Sequence, residues 1–283
     1  MIQKVNKTTF YIKIKRIYKN LLPGIFLFGF TVGTGSVTSM AKAGADYGMS
    51  LLWTIFLSCF ITYLLISLFG KFTLVTGETA LSAIKKHIHP SLAMFFIVTL
   101  TAHVSGSIIG VMGILSDVCF QWSKNYVSGG IAPSYFAVFF IGLVYAIFLL
   151  GKTELFQNTL AFFVAIMSVC FLINFLILMP PFFEIAKGMI PNVPKTGSSN
   201  SAFLVIASMV GTTVFSGLFI LRTTLVKEAG WTLTDLKTQN RDALFAGIMM
   251  FIVSASIMAA AAGTLYAQGT TLTNVSEMIS LLE

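Results

Sequence analysis

Apolar positions along the chain gather into long runs separated by short polar stretches, near residues 20–40, 48–70, 91–120, 133–150, 157–180, 202–222 and 243–266. About twenty apolar residues in a helix cross the hydrocarbon core of a bilayer, so each run predicts one crossing. The fold class is then an all-α polytopic membrane protein with about seven transmembrane helices. Two of the runs carry a polar interruption at their centre. The first reads PGIFLFGFTVGTGSVTSMAKAG and the sixth FLVIASMVGTTVFSGLFILRT, each with glycine and hydroxyl residues concentrated mid-run. Glycine costs a helix interior about 1 kcal/mol relative to alanine, and Ser or Thr competes for the backbone's own hydrogen bonds. Both centres are therefore candidate helix breaks. Irregular backbone is tolerated at membrane depth only where it is buried in protein or lines a cavity, so a pair of breaks predicts a solute or ion site between them. A second reading stands beside this one: Gly33, Gly35, Gly211 and Gly217 as close-packing contacts between unbroken helices.

Composition narrows the class further. The 283 residues are 56% hydrophobic and only 10% charged, with a formal charge of +8 that raises nucleic acid as a partner. The basic residues flank the spans instead. Residues 1–20 carry Lys and Arg without an acid and read as a cytosolic arm, leaving 21–283 as the membrane domain. With the N-terminus inside, only Lys42, Lys124, Lys187 and Lys195 of the 18 Lys and Arg fall outside, which matches the positive-inside bias. The expected location is a cell membrane, multi-pass, with a cytoplasmic N-terminus; lipid is a partner and nucleic acid is not. Cys59, Cys119 and Cys170 sit inside apolar runs without metal-ligand spacing and read as small buried hydrophobes. There is no Walker loop and no nucleophile with a paired base, so neither ATP-driven transport nor hydrolysis is expected: not an enzyme, and no cofactor. The tail Thr271 to Glu283 ends on rising apolarity without a stop signal, as an incomplete chain would.

Several stretches occur in a recognisable order: Pro23-Gly24, AGADYGMSLLW from Ala43, LVTGETAL from Leu74, VGTTVFSGLFILRTTLVKEAGW from Val210, and RDALFAG from Arg241. In this set the chain resembles the NRAMP family of divalent metal transporters, and more closely its divergent members. The resemblance implies a LeuT-like inverted-repeat fold, with a first five-helix repeat over about 21–180 and the start of a second, truncated one over about 202–283. It also implies a metal site made by a DPGN motif in helix one and an MPH motif in helix six. Those positions fall on Gly33, Thr34, Gly35 and Ser36, and on Phe215, Ser216 and Gly217. Neither the carboxylate nor the thioether that would suit a divalent transition metal is present. In helix three, where the family carries acidic proton-route residues, Ser107 and Gly110 stand near the matching places.

The expected substrate contacts are thus Gly33, Thr34, Gly35, Ser36, Thr212, Thr213, Phe215, Ser216 and Gly217, with Ser36, Thr34 and Ser216 as oxygen contacts to a metal and His103 as an imidazole one. By family descent the cargo is a divalent cation of the Mn/Mg/Fe class, moved by a secondary transporter without ordinary proton coupling. The alternative is a small carboxylate-bearing solute such as an amino acid, since the GTGS break offers free N–H groups and a half-helix dipole. Oligomeric state is left open. Of the remaining charges, Glu78 reads as a helix-capping or ion-pairing residue at the cytosolic end of helix two, Asp46 and Asp117 as solvated, His87 and His89 as solvated loop residues, and Arg222 to Asp242 as a mixed-charge cytosolic loop. Trp53, Trp122 and Trp231 near span ends fit interfacial anchoring.

Overall fold

The first apolar run forms two helices, α1 (Leu21–Thr31) and α2 (Thr34–Tyr47), bent by 60° at Val32 and Gly33. This is a computed structural model that describes residues 21–149, 153–177, 180–194 and 201–269; the arm expected over 1–20 and the tail over 270–283 lie outside them. The remaining helices are α3 (Leu52–Thr76), α4 (Ala80–His87), α5 (Pro90–Ser123), α6 (Pro133–Leu149), α7 (Thr153–Ile177), α8 (Phe182–Gly188), α9 (Ala202–Thr213), α10 (Ser216–Glu228) and α11 (Leu236–Ala261). No strand occurs among the described residues. The seven runs correspond to α1/α2, α3, α5, α6, α7, α9/α10 and α11. Helices α3 and α5 are 25 and 34 residues long, about 38 and 51 Å, enough to cross a bilayer with turns to spare.

Local chemistry sets the ends. Gly77 closes α3 in the left-handed region at φ 69°, its N–H bonding to Thr73 O at 2.8 Å. Thr79 caps α4 by accepting the Ser82 N–H at 3.3 Å. At the start of α5, His89 Nδ1 accepts the Ser91 N–H and Pro90 occupies the first turn, where its missing donor costs nothing. A 3₁₀ turn, Leu233–Asp235, closed by a reciprocal Thr232 and Asp235 capping box, launches α11. One turn of π-helix, Ala262–Tyr266, follows it.

Helix α11 is the axis of the packing. It lies along α3 and α2 and also meets α7; α10 rests on α3, and α2 on α9. The spans α1/α2, α3, α9/α10 and α11 enclose a core that includes Leu27, Phe28, Met40, Ile55, Met209, Leu218, Met250 and Met258. In the most apolar window of the α11 span 61% of residues are buried, against 6% in α5, whose Phe95, Val98 and Ile109 face outward as lipid-contact residues do. Small residues let the core helices touch. A Cβ on Gly44 would collide with Met258 O, so α2 meets α11 at backbone distance.

Two boundaries differ from the sequence pattern. Helix α2 continues through Tyr47, so Asp46 is a buried helical residue, with Lys42 Nζ 3.7 Å away, rather than a solvated loop residue. Burial of Ala43, Ala45 and Tyr47 carries the helix on past the expected boundary. Helix α11 begins at Leu236, which places Gln239 and Asp242 inside the core instead of in a cytosolic loop.

Candidate functional site

At the first break the chain leaves helical geometry for two residues. The Gly33 N–H turns back to Thr31 O at 2.9 Å, and Gly33, extended at φ −98° and ψ −177°, becomes the N-cap of α2. Helix ends leave backbone groups unpaired, and the hydroxyls of this run attend to the carbonyls. Thr31 Oγ1 donates to Leu27 O at 2.8 Å, and Ser36 Oγ donates to both Thr31 O and Gly33 O at 3.0 and 2.9 Å. The start of α2 has no side-chain cap, so its first amides point onward without one.

The second break divides the span 202–228 near its middle. Val214 ends α9 at ψ 74°, and Phe215, extended at φ −106°, is the N-cap of α10, again with no side-chain cap. Thr212 and Thr213 turn their hydroxyls back to carbonyls of their own helix, Ser208 O and Met209 O, while Thr213 O accepts Thr62 Oγ1 of α3 at 3.1 Å. Ser39 and Ser208 hydroxyls pair at 2.7 Å and join α2 to α9. A Cβ on Gly35 would stand 3.3 Å from Thr212 Cγ2, so the two broken spans are in contact beside their breaks.

Between them, and closed on one side by α5, lies a cavity of about 660 Å³. It brings together Gly33, Gly35, Ser36, Thr212, Phe215 and His103 of the expected residues. Thr213 is buried away from it, Ser216 is exposed outside its lining, and Gly217 lies under the Phe215 ring, where a Cβ would collide with that ring. The Thr34 side chain lies outside the described set. Phe215 is stacked between His103, at 4.4 Å between ring centroids, and Phe30, at 6.1 Å. Ser107 also faces the cavity. The described lining holds no Asp, Glu, Lys or Arg, and no cluster of three metal-ligating side chains occurs among the described residues. Polarity therefore comes from neutral side chains such as Ser36, His103, Ser107 and Thr212 and from the backbone, where each break sets the carbonyl-rich end of one half-helix beside the amide-rich end of the next.

The sequence matches the Nramp family, described as natural resistance-associated macrophage protein-like, over residues 25–283. The chain belongs to the NRAMP family. No curated protein matches it individually. Among solved structures it is similar to an Eremococcus coleocola manganese transporter in complex with an aromatic bis-isothiourea substituted compound, with a TM-score of 0.74 at 15% identity, over 93% of this chain and 53% of that one. Two mutants of the same transporter match with a TM-score of 0.74 at 15% identity, over 88% of this chain and 52% of theirs. The NRAMP chain thus has that transporter's fold and spans about half its length. It is a multi-pass membrane protein.

One cluster of this NRAMP chain escaped the sequence pattern. Arg222, inside α10, is fully buried and ion-paired through Nη1 with Oδ2 of the fully buried Asp242. Its Nη2 donates to Gln239 O at 3.2 Å, and Trp231 covers the guanidinium at 5.6 Å from the ring centroid. The remaining oxygen of Asp242 accepts the Gly24 N–H of α1 at 2.8 Å. Arg222 and Asp242 therefore belong to the packed interior rather than to a solubilising loop, and Trp231 serves as a cover as well as lying near a span end. The available signal was Arg222 within an apolar run, with no acid one helical turn away. Glu78 is also resolved. It pairs with Lys86 at 2.7 Å and His87 at 3.5 Å, whereas the capping of α4 falls to Thr79.

Proposed function

We propose that the chain forms the cargo-binding core of an NRAMP-type secondary transporter that moves a divalent metal cation of the Mn/Mg/Fe class through the cavity between α1/α2 and α9/α10. The observation that carries this reading is the coincidence of two helix breaks on one cavity, in a chain of this family with a manganese transporter's fold. Contacts to the ion come from Gly33, Thr34, Gly35, Ser36, Thr212 and Phe215, with Thr213, Ser216 and Gly217 shaping the second break. Cation affinity rests on the carbonyl ends of α1 and α9 and on hydroxyl oxygens, with His103 as the imidazole at the wall. With no carboxylate in the described lining, transport proceeds without ordinary proton coupling. The basic flanks of the spans support a cytoplasmic N-terminus and a cell-membrane location.

A second reading has a specific support. About 660 Å³ is far more than a bare ion fills, and the uncapped amides of α2 face a lining without an anionic side chain. A small carboxylate-bearing solute such as an amino acid fits both facts. Uptake by the full chain in proteoliposomes separates the two. Saturable entry of Mn²⁺ or Mg²⁺ is expected. Gly35→Leu should abolish it by forcing α2 off Thr212, while Gly33→Ala, whose added Cβ meets nothing within 4 Å, should retain it. Absence of cation uptake together with saturable amino-acid binding would transfer the assignment to the second reading.

A further inference from the structure

The cluster around Arg222 joins four helices at a single layer. Asp242 on α11 takes the Arg222 guanidinium of α10 on one oxygen and the Gly24 N–H of α1 on the other. Gln239, one turn earlier on α11, lies against α3, its Nε2 3.4 Å from Ser67 O. Two glycines make the approach possible. A Cβ on Gly24 would collide with the Asp242 carboxylate, and a Cβ on Gly70 would collide with the Gln239 amide and stand 3.2 Å from Arg222 Nε. The layer is dry: Arg222, Gln239 and Asp242 are each 0% exposed.

Its place along the helices separates it from the cargo site. At 1.5 Å per residue, Gly24 lies about 13 Å along α1 from the break at Gly33, and Arg222 about 10 Å along α10 from Phe215. Both half-helices run from the cavity to this layer, on the face of the molecule where α1 begins. One carboxylate thus holds the two segments that would have to part for the cavity to open toward that face. The arrangement is poorly suited to stability alone. A buried pair gives up the hydration of two charges, and an apolar pair of similar volume commonly serves as well or better. Arg222 Nε and Gln239 Oε1, moreover, have no hydrogen-bond partner among the described residues, which lowers what is lost when the layer separates.

We propose that Arg222 and Asp242 are positioning residues that clamp α1 and α10 to α11 and close the cavity toward the face where α1 begins, and that this face opens only when the Gly24 N–H leaves Asp242. The proposal rests on the cavity being the transport site, but its test reads access without any cargo, so it succeeds or fails independently of whether Mn²⁺ or an amino acid is moved. The half-buried Cys119 and the exposed Cys170 are not the buried hydrophobes expected of them, and both are replaced by Ala. Val32, which lines the cavity, is replaced by Cys in that chain, and a membrane-impermeant maleimide is applied to either face of oriented vesicles. Asp242→Asn removes the charge at nearly constant shape, and Gly24→Ala keeps the charge but pushes α1 away from the Asp242 carboxylate. Each should raise labelling from the face where α1 begins, relative to the opposite face, by about tenfold, the mark of a shifted open–closed equilibrium. A purely structural role would lower stability without changing sidedness. An unchanged ratio in folded protein overturns the proposal, and so does an effect of Asp242→Asn that Gly24→Ala does not share. Should both variants fail to fold, hydrogen exchange of the unaltered chain decides. Exchange at the start of α1 through openings that leave α11 protected supports the clamp; exchange of both only together overturns it.

Discussion

Arg222 and Asp242 show how a single side chain can be misjudged without its partner. Each is fully buried, so removing one strands the other's charge in the interior, at a typical cost of about 3–5 kcal/mol. Replacing both by apolar residues of similar size removes the penalty with the pair. Arg222→Met and Asp242→Leu should therefore each lower the thermal midpoint of detergent-solubilised protein substantially, and the double variant should recover much of the loss. Additive losses in that cycle would mean that the two charges do not depend on each other. Asp242 was not legible as buried, and Arg222 only through its place in an apolar run. The nineteen residues between them include a mixed-charge stretch that reads as loop, and burial arises only when α10 and α11 both pack on α3 and bring the two charges together. Gly33, Gly35, Ser36 and Thr212 were legible because weak helix formers in an apolar run demand a local explanation. Ser216 and Thr213 carried the same signal, but which side of a break a residue faces depends on the helix's rotation, which composition does not encode.

At the scale of elements, helix α4 illustrates what the sequence pattern leaves out. Eight residues are too short for a span, so this helix lay beneath the resolution of a pattern built on twenty-residue runs. Its exposed end is held by Glu78, whose hydrogen bond from Lys86, reinforced by the charges of Lys86 and His87, keeps the carboxyl below its ordinary value. A lowered carboxyl contributes stability above the unfolded-state value of about 4.3, and that contribution disappears as pH falls through the lower folded value. Acidification through this window should raise hydrogen exchange in Ala80–His87 of the unaltered chain relative to Glu78→Gln, measured at matched pH. Equal exchange in the two chains throughout would show that the pair does not secure α4. Because the group is at the surface, the effect should be small and weakened by salt. The long spans were legible from length and apolarity, and their ends less so. Burial of Ala43 to Tyr47 extends α2, and the Thr232 capping box starts α11 a full two turns before its apolar run.

For the molecule as a whole, the two breaks matter because they bring separated parts of the chain to one cavity. Residues near 33 and near 215 meet only in the folded state, so a ligand that needs both binds the native chain and not the unfolded one. Such a ligand raises stability by RT ln(1 + [L]/Kd), about 2.7 kcal/mol at a hundred times Kd. For the divalent-cation reading, Mn²⁺ should raise the thermal midpoint of the full chain in detergent, saturably and independently of ionic strength held with a monovalent salt. Gly35→Leu should remove the rise, since its side chain intrudes where α2 meets Thr212, and Gly33→Ala should keep it. His103→Ala gives a second axis. If imidazole at the wall contributes to the ion, the rise with Mn²⁺ should weaken more than the rise with Mg²⁺, because nitrogen ligands favour the transition metal over the harder ion. A rise produced by an amino acid, absent with either cation and abolished by Gly35→Leu, would instead assign the cavity to the carboxylate-bearing solute, with the α2 amides as its anchor.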